Sequence, residues 1–328
     1  MTARAIIFGC AGPRLSADER AFFRDADPWG FILFARNVET PDQMRALTGE
    51  LRDCVGRPAS VMMDQEGGRV QRLRPPHWRA YPPAARDRTE ETVELRHRLI
   101  AAELAAIGVD MNCAPVLDTP WPGSHDVIGD RAFATEPEAV ARLGAAARRG
   151  LSAGGVIPVI KHIPGHGRSM VDTHHDLPVV KASRADLERD FAPFRANSDA
   201  PVGMTCHLLF EAIDAEAPVT FSSRAIALIR DEIGFDGLLL TDDLSMGALR
   251  GGVGDRVRRS LKAGCDIALH CNGEPEEMRE AAAAAPRLAG QSLARAAAVD
   301  ALPRRALSFD PVAGERRYRE LTGDTAHA

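Results

Sequence analysis

The sequence predicts an α/β protein, a (β/α)8 TIM barrel, on three observations. Short apolar runs recur eight times over about 270 residues, each followed by a polar or glycine-rich turn and then a helical pattern. Most of these runs are continuously apolar, which is the pattern of parallel strands covered on both faces. No GxGxxG follows the first run, and Gly9-Cys10-Ala11-Gly12 is a weak match, which counts against a doubly wound open sheet.

The strand candidates are residues 5–10, 30–34, 60–63, 110–117, 156–160, 202–206, 237–240 and 266–270. Thr40-Pro41-Asp42-Gln43 supplies an N-cap, a proline at the first helical position and a glutamine at the third, so a helix runs from there to Val55 and Gly56 closes it. Thr89 opens an amphipathic stretch that Gly108 ends, and Thr135-Glu136-Pro137-Glu138 opens another that stops near Gly154-Gly155. Residues 223–233 precede Gly234, and residues 255–263 precede Gly264. Residues 183–197 are helical in pattern but contain Pro193, so a kink or two short pieces is expected there. Beyond Pro286 the chain is Ala/Arg-rich and helical, with no polar linker before it. We therefore expect one catalytic barrel domain over 1–328, with about 290–328 as a helical C-terminal extension that closes the barrel.

Composition narrows the function classes. The chain has 328 residues, 45% hydrophobic and 27% charged, the balance of an ordinary globular protein. A net charge of -5 leaves no basic footprint for nucleic acid. Six scattered cysteines without a CxxC spacing read as buried, reduced thiols. Ile7-Phe8-Gly9-Cys10 superficially resembles a lipoprotein cleavage box, but only Ala5-Ile6-Ile7-Phe8 precedes Gly9 as an apolar run, so it reads as a strand. No run approaches the roughly 18 apolar residues of a membrane span. A cytoplasmic protein is expected, with a small molecule as partner and a monomer favoured.

The densest chemistry lies in Lys161-His162-Ile163-Pro164-Gly165-His166-Gly167 and its continuation to Pro178, which holds four of the ten histidines. Gly165 and Gly167 permit positive φ and let the loop fold back. In a barrel, residues just after each strand share one rim. Those positions are Arg36 and Asn37; Asp64, Gln65, Glu66, Arg69 and Arg72; Asp118, Asp126, Asp130 and Arg131; the Lys161 stretch; His207; Thr241, Asp242 and Asp243; and Asn272. Polar groups therefore converge on one mouth. Glu66 and Arg69 read as an internal ion pair or scaffold, Arg36 and Asn37 as supports of the rim, and His166 as a loop-holding residue. His207 is balanced between lining the site and supporting it.

Two chemistries suit this set. In glycoside hydrolysis, Asp242 would attack an anomeric carbon and His174, paired with Asp172, would be the proton donor. In metal-dependent hydrolysis, His162, His166, His174, His207 and Asp242 would be ligands. Residue types alone do not separate them.

The motifs do. Lys161-His162-Ile-Pro-Gly-His-Gly, Asp172-Thr-His174 and Thr241-Asp242-Asp243-Leu-Ser-Met resemble the signatures of glycoside hydrolase family 3. Asp64-Gln-Glu-Gly-Gly-Arg-Val-Gln-Arg72, Gly30–Asn37 and Ala114-Pro-Val-Leu-Asp118 match in the same order. The resemblance spans about residues 5–285 and is closest to the single-domain bacterial β-N-acetylglucosaminidases of peptidoglycan recycling. It implies Asp242 as a nucleophile forming a covalent glycosyl-enzyme with retention, Asp243 as its neighbour, and His174 with Asp172 as the acid/base dyad. It also implies Asp64, Arg72, Arg131, Lys161 and His162 as sugar-binding residues, with no cofactor and no metal. Ile163 replaces the family's usual Phe, Thr173 its common Ser, and Gly247-Ala248 a longer Glu-Gly-Ala, so the loop after the nucleophile departs from the pattern. A family 3 enzyme on another β-glycoside, a phosphate-dependent phosphorylase and an inactive sugar-binding protein are the alternatives.

Overall fold

Eight parallel strands close into a barrel in the order of the chain. In the computed structural model, which describes residues 2–170 and 177–323, they are β1 (Arg4–Gly9), β2 (Pro28–Leu33), β3 (Ser60–Met63), β4 (Met111–Asn112), β5 (Ile157–Ile163), β6 (Val202–Thr205), β7 (Leu238–Asp243) and β8 (Ile267–His270). The helices that follow them are α1 (Ala17–Ala26), α2 (Pro41–Val55), α3 (Glu90–Ala106), α4 (Pro137–Ala153), α5 (Arg184–Arg195), α6 (Ser223–Ala227), α7 (Val253–Ala263) and α8 (Pro275–Ala284).

The continuous apolar runs make sense once the two faces are separated. Successive strand residues point to opposite sides. Ile6 and Phe8 of β1 pack outward with Phe23 and Leu47 of the helices, while Ala5 and Ile7 face inward with Met62, Val159 and Leu240. Ile7 and Leu240 are completely buried, and burial on that scale stabilises by about 2 kcal/mol per side chain.

Several elements differ from the sequence reading. Helix α1 escapes it, although Ser16 and Glu19 form a capping box that marks such a start. Strands β5 and β7 run three residues further than their apolar runs, to Ile163 and Asp243. Their polar residues stay on the strand because partners across the barrel satisfy them. Residues 110–117 pair regularly only at Met111–Asn112. Pro115 has no N–H to give the ladder, yet the Cys113 and Leu117 amides still reach Met63 and Lys161 carbonyls at 2.9 and 2.7 Å.

Residues 183–197 hold one helix rather than two pieces, since Pro193 falls in the last turn of α5 and removes a single helical bond. Residues 223–233 split into α6 and a π-helical turn, Leu228–Glu232. The C-terminal extension is two helices, α9 (Gly290–Asp300) and α10 (Pro311–Thr322). Ala296 and Val299 of α9 join the inner core beside Ala5 and Trp29, at the end where the strands begin. On α10, Tyr318 donates to Asp87 at 2.8 Å, and Asp87 is paired with the fully buried Arg96 at 2.9 Å. No helix among the described residues is long and apolar enough to cross a membrane.

Candidate active site

At the C-terminal end of the strands lies a pocket of about 180 Å³. Its wall is polar on one side, with Asp64, Arg72, Arg131, Lys161 and His162. Asp242 and Asp243 face the same space, and Ile32, Phe34, Met204, Leu269 and Cys271 supply apolar surface.

Asp64 directly follows β3. The buried Gln65 side chain then accepts from the Arg72 and Leu73 amides at 2.8 and 3.1 Å. That pair of bonds folds the turn so that Arg72 returns to Asp64, its Nη2 3.1 Å from Oδ2. Lys161, on β5 and 2% exposed, donates to Asp64 at 2.7 Å and lies 2.7 Å from Glu66 as well. Arg131, after β4, closes on Glu66 through two bonds of 2.9 Å.

Burial alone would push all these carboxyls up. For Asp64 the Lys161 and Arg72 charges outweigh it and hold the carboxyl well below the usual range. For Glu66, Arg131 and Lys161 do the same, bringing it to about 2. Burial would lower the Lys161 pKa, but Asp64 and Glu66 reverse that and raise it. Asp64, Glu66, Lys161 and Arg131 stay ionised, and with Arg72 they form a preorganised set of donors and acceptors for the hydroxyls of a small polar ligand.

Asp118, after β4, is completely buried. It accepts from the His162 ring Nδ1 at 2.6 Å and from the His162 and His166 amides at 3.2 and 2.6 Å. The backbone N–H of His166, rather than its ring, is thus what holds the loop. The ring lines the pocket, 5.4 Å from His162 between centroids, and burial followed by His162 brings its pKa to about 4. Gly165 does adopt positive φ, at 141°. Gly167 is needed for a different reason: a Cβ there would stand 1.8 Å from the Thr119 carbonyl oxygen.

Asp242 and Asp243 end β7 with opposite fates. Asp243 accepts from the Ser245 amide and hydroxyl and from the Cys271 amide, at 3.0, 2.6 and 3.1 Å. Asp242 accepts only from the Asp243 amide, at 2.8 Å, among the described residues. Burial raises its pKa, but His207, His162, the Asp243 amide and Lys161 outweigh it, so the carboxyl sits below the usual range.

His207 does not line the pocket. It is buried behind β7, where Nε2–H donates to the Asp243 carbonyl at 3.0 Å and Nδ1 meets the Thr220 hydroxyl at 2.7 Å. Burial lowers its pKa, and the ring braces the end of β7. Arg69 does not pair with Glu66 either; it reaches Asp126 at 3.2 Å on the surface. Arg36 and Asn37 tie β2 to the loop after β1 through the Cys10 carbonyl, at 3.0 and 3.1 Å.

Asp172 and His174 lie outside the described residues. The chain reaches that segment from a braced base. Trp121 and His125 amides donate to the Gly167 and Ser169 carbonyls at 3.0 and 2.8 Å. Arg168 pairs with Asp190 at 2.6 Å and stacks 3.9 Å over Trp121. Sequence reasoning missed the bonding of Asp118 and Glu66, and it missed the apolar lining altogether. Asp118 was visible as a strand-end carboxylate, whereas Met204 and Leu269 look like any core residue.

Barrel topology with a charged pocket at the strand ends defines a (β/α)8 enzyme for a small polar substrate. The model of the glycosyl hydrolase family 3 N terminal domain matches residues 8–307. A beta-hexosaminidase from Thiobacillus denitrificans is 37% identical, covering 100% of this chain and 89% of its own length. One from Alkalilimnicola ehrlichii is 41% identical over 81% of this chain and 80% of its own. The crystal structure of NagZ from Neisseria gonorrhoeae, in complex with N-trifluoroacetyl-D-glucosamine, superposes with a TM-score of 0.87 at 32% identity and covers 98% of both chains. The chain therefore belongs to glycosyl hydrolase family 3. It is a glycoside hydrolase of the beta-hexosaminidase group.

Proposed function

We propose that this hydrolase is a retaining exo-β-N-acetylglucosaminidase that releases N-acetylglucosamine from cytoplasmic muropeptide fragments in peptidoglycan recycling. The observation that carries the reading is the asymmetry of the two β7 carboxylates. Asp243 is fully engaged in holding its own loop. Asp242 is ionised, faces the pocket and keeps one oxygen without a partner among the described residues. Asp242 is therefore the nucleophile.

It attacks the anomeric carbon as the bond to the aglycone oxygen breaks, and His174, supported by Asp172, gives that oxygen its proton. His174 then takes a proton from the water that displaces Asp242. Two inversions leave the configuration unchanged. Asp64, Arg72, Arg131, Lys161 and His162 hold the sugar. The small volume of the pocket, about 180 Å³, supports an exo mode, with room for one ring. The names of the relatives and the N-acylated glucosamine in the gonococcal complex support the acetamido sugar.

The test is hydrolysis of an aryl β-N-acetylglucosaminide and of the matching β-glucoside, by wild type and Asp242→Ala, with and without EDTA. The expected result is activity on the acetamido sugar alone, indifferent to EDTA, with the β-anomer formed first. The variant should lose on the order of 10⁴-fold in kcat. Activity removed by EDTA would replace this mechanism with a metal-dependent one. Equal turnover of the glucoside would overturn the substrate assignment.

A further inference from the structure

We propose that Asp118 is a positioning residue that fixes the tautomer of His162, so that Nε2 meets a hydroxyl of the bound sugar as a hydrogen-bond acceptor. The inference rests on the pocket's being a sugar site, but its geometric part does not. An ionised carboxylate can only accept. Burial works to raise the Asp118 pKa, and the His162 ring and the His166 amide bonded to it outweigh that and leave it lowered.

Two of the three groups on Asp118 are the backbone N–H donors of His162 and His166, both on Oδ1. The third is the His162 ring, 2.6 Å from Oδ2. That ring nitrogen must carry a proton, since two acceptors do not approach to such a distance. In the neutral imidazole, Nδ1–H leaves the lone pair on Nε2. No described residue hydrogen-bonds Nε2, and His162 lines the pocket. The cations around it, Lys161, Arg72 and Arg131, can only donate. An acceptor at His162 therefore adds to Asp64 a second, uncharged place where a sugar O–H can point.

Asp118→Asn separates this role from simple support. The Asn carbonyl oxygen can still accept both backbone amides, so the loop keeps its anchor. Its NH2 group turns toward the ring and requires Nδ1 to accept, which moves the proton to Nε2 and presents the sugar with a donor. The geometry survives and the polarity is inverted, a change that costs a catalytic histidine heavily in other enzymes.

The first measurement is ¹⁵N–¹H correlation of the histidine rings in the unliganded protein, with His162 assigned through His162→Gln. We expect the Nδ1–H form in wild type and the Nε2–H form in Asp118→Asn. Nε2–H in wild type overturns the proposal whatever the enzyme's substrate turns out to be. The second is kcat/KM on aryl β-N-acetylglucosaminides lacking the 3-, 4- or 6-hydroxyl in turn. Asp118→Asn should lose roughly 100-fold on the parent substrate. One deoxy substrate that is poor for wild type should bring the variant no further loss. A variant that loses activity in parallel on every substrate, or none at all, overturns the role. If wild type cleaves none of the series, the functional reading fails, while the tautomer measurement still decides the dyad.

Discussion

On the side of the pocket built by β3 and β5, each oxygen of Asp64 and of Glu66 has a cation. Asp64 faces Lys161 and Arg72, and Glu66 faces Lys161 and Arg131. On the β7 side, Asp242 has a single amide among the described residues, while its neighbour Asp243 accepts three bonds. Asp242, like Asp64 and Glu66, is held as the anion, yet the two sides differ in what remains available. A saturated network has fixed positions and no capacity to form a bond with substrate carbon. A carboxylate with an open oxygen, stabilised as the anion by its surroundings, has that capacity. On the proposed mechanism, the contrast divides holding from reacting.

Substitutions should widen or erase the contrast. The largest effect is the loss of turnover in Asp242→Ala, with little fall in stability, because removing this carboxylate breaks no ion pair among the described residues. Lys161→Ala should fail in both respects. It leaves Asp64 and Glu66 facing each other across a buried gap, and the loss of one partner from such a network costs about 3 kcal/mol in urea denaturation. Stability equal to wild type would show the network to be redundant through Arg72 and Arg131.

Acid should act on the saturated side as well. Burial would raise the Glu66 pKa, but Arg131 and Lys161 depress it from 4.5 to about 2. Its contribution is therefore complete above about pH 4.5 and is lost as the pH falls toward about 2. The melting temperature should drop through that window, and Glu66→Gln should flatten the drop. The smallest effect belongs to Arg69, whose pairing with Asp126 lies at the surface, with 42% and 82% of the side chains exposed. Arg69→Ala should cost less than about 1 kcal/mol by the same denaturation measurement.

The fold was legible because a barrel strand is apolar on both faces, so runs such as 5–10 and 266–270 stand out against their helices. Lys161 and His162 were harder, since a lysine after an apolar run reads as the start of a loop. Only the acids 97 and 95 positions earlier let β5 continue through it. The same long reach hid the Glu66–Arg131 pair, and the nearer Arg69 took its place in the reading. His207 was undecidable from sequence, because a strand-end histidine points to the pocket or behind it according to one residue of register. Asp242 and His162 were legible as motif residues; the partner that orients His162 was not.

The ionic wall also says something about when this molecule becomes competent. Its contacts join β3 to β5 and to the loop after β4, with chain separations of 97 and 65 residues between bonded partners. Only the Asp64–Arg72 pair, eight residues apart, is local. A nascent chain that ends before Lys161 carries two acidic side chains and two arginines, but lacks the ammonium that links them. Contacts of such range form slowly relative to hairpins and helix turns. The pocket wall therefore emerges with assembly of the β3–β5 arc, and a ligand that it holds can reward, during refolding, only chains that have already built it.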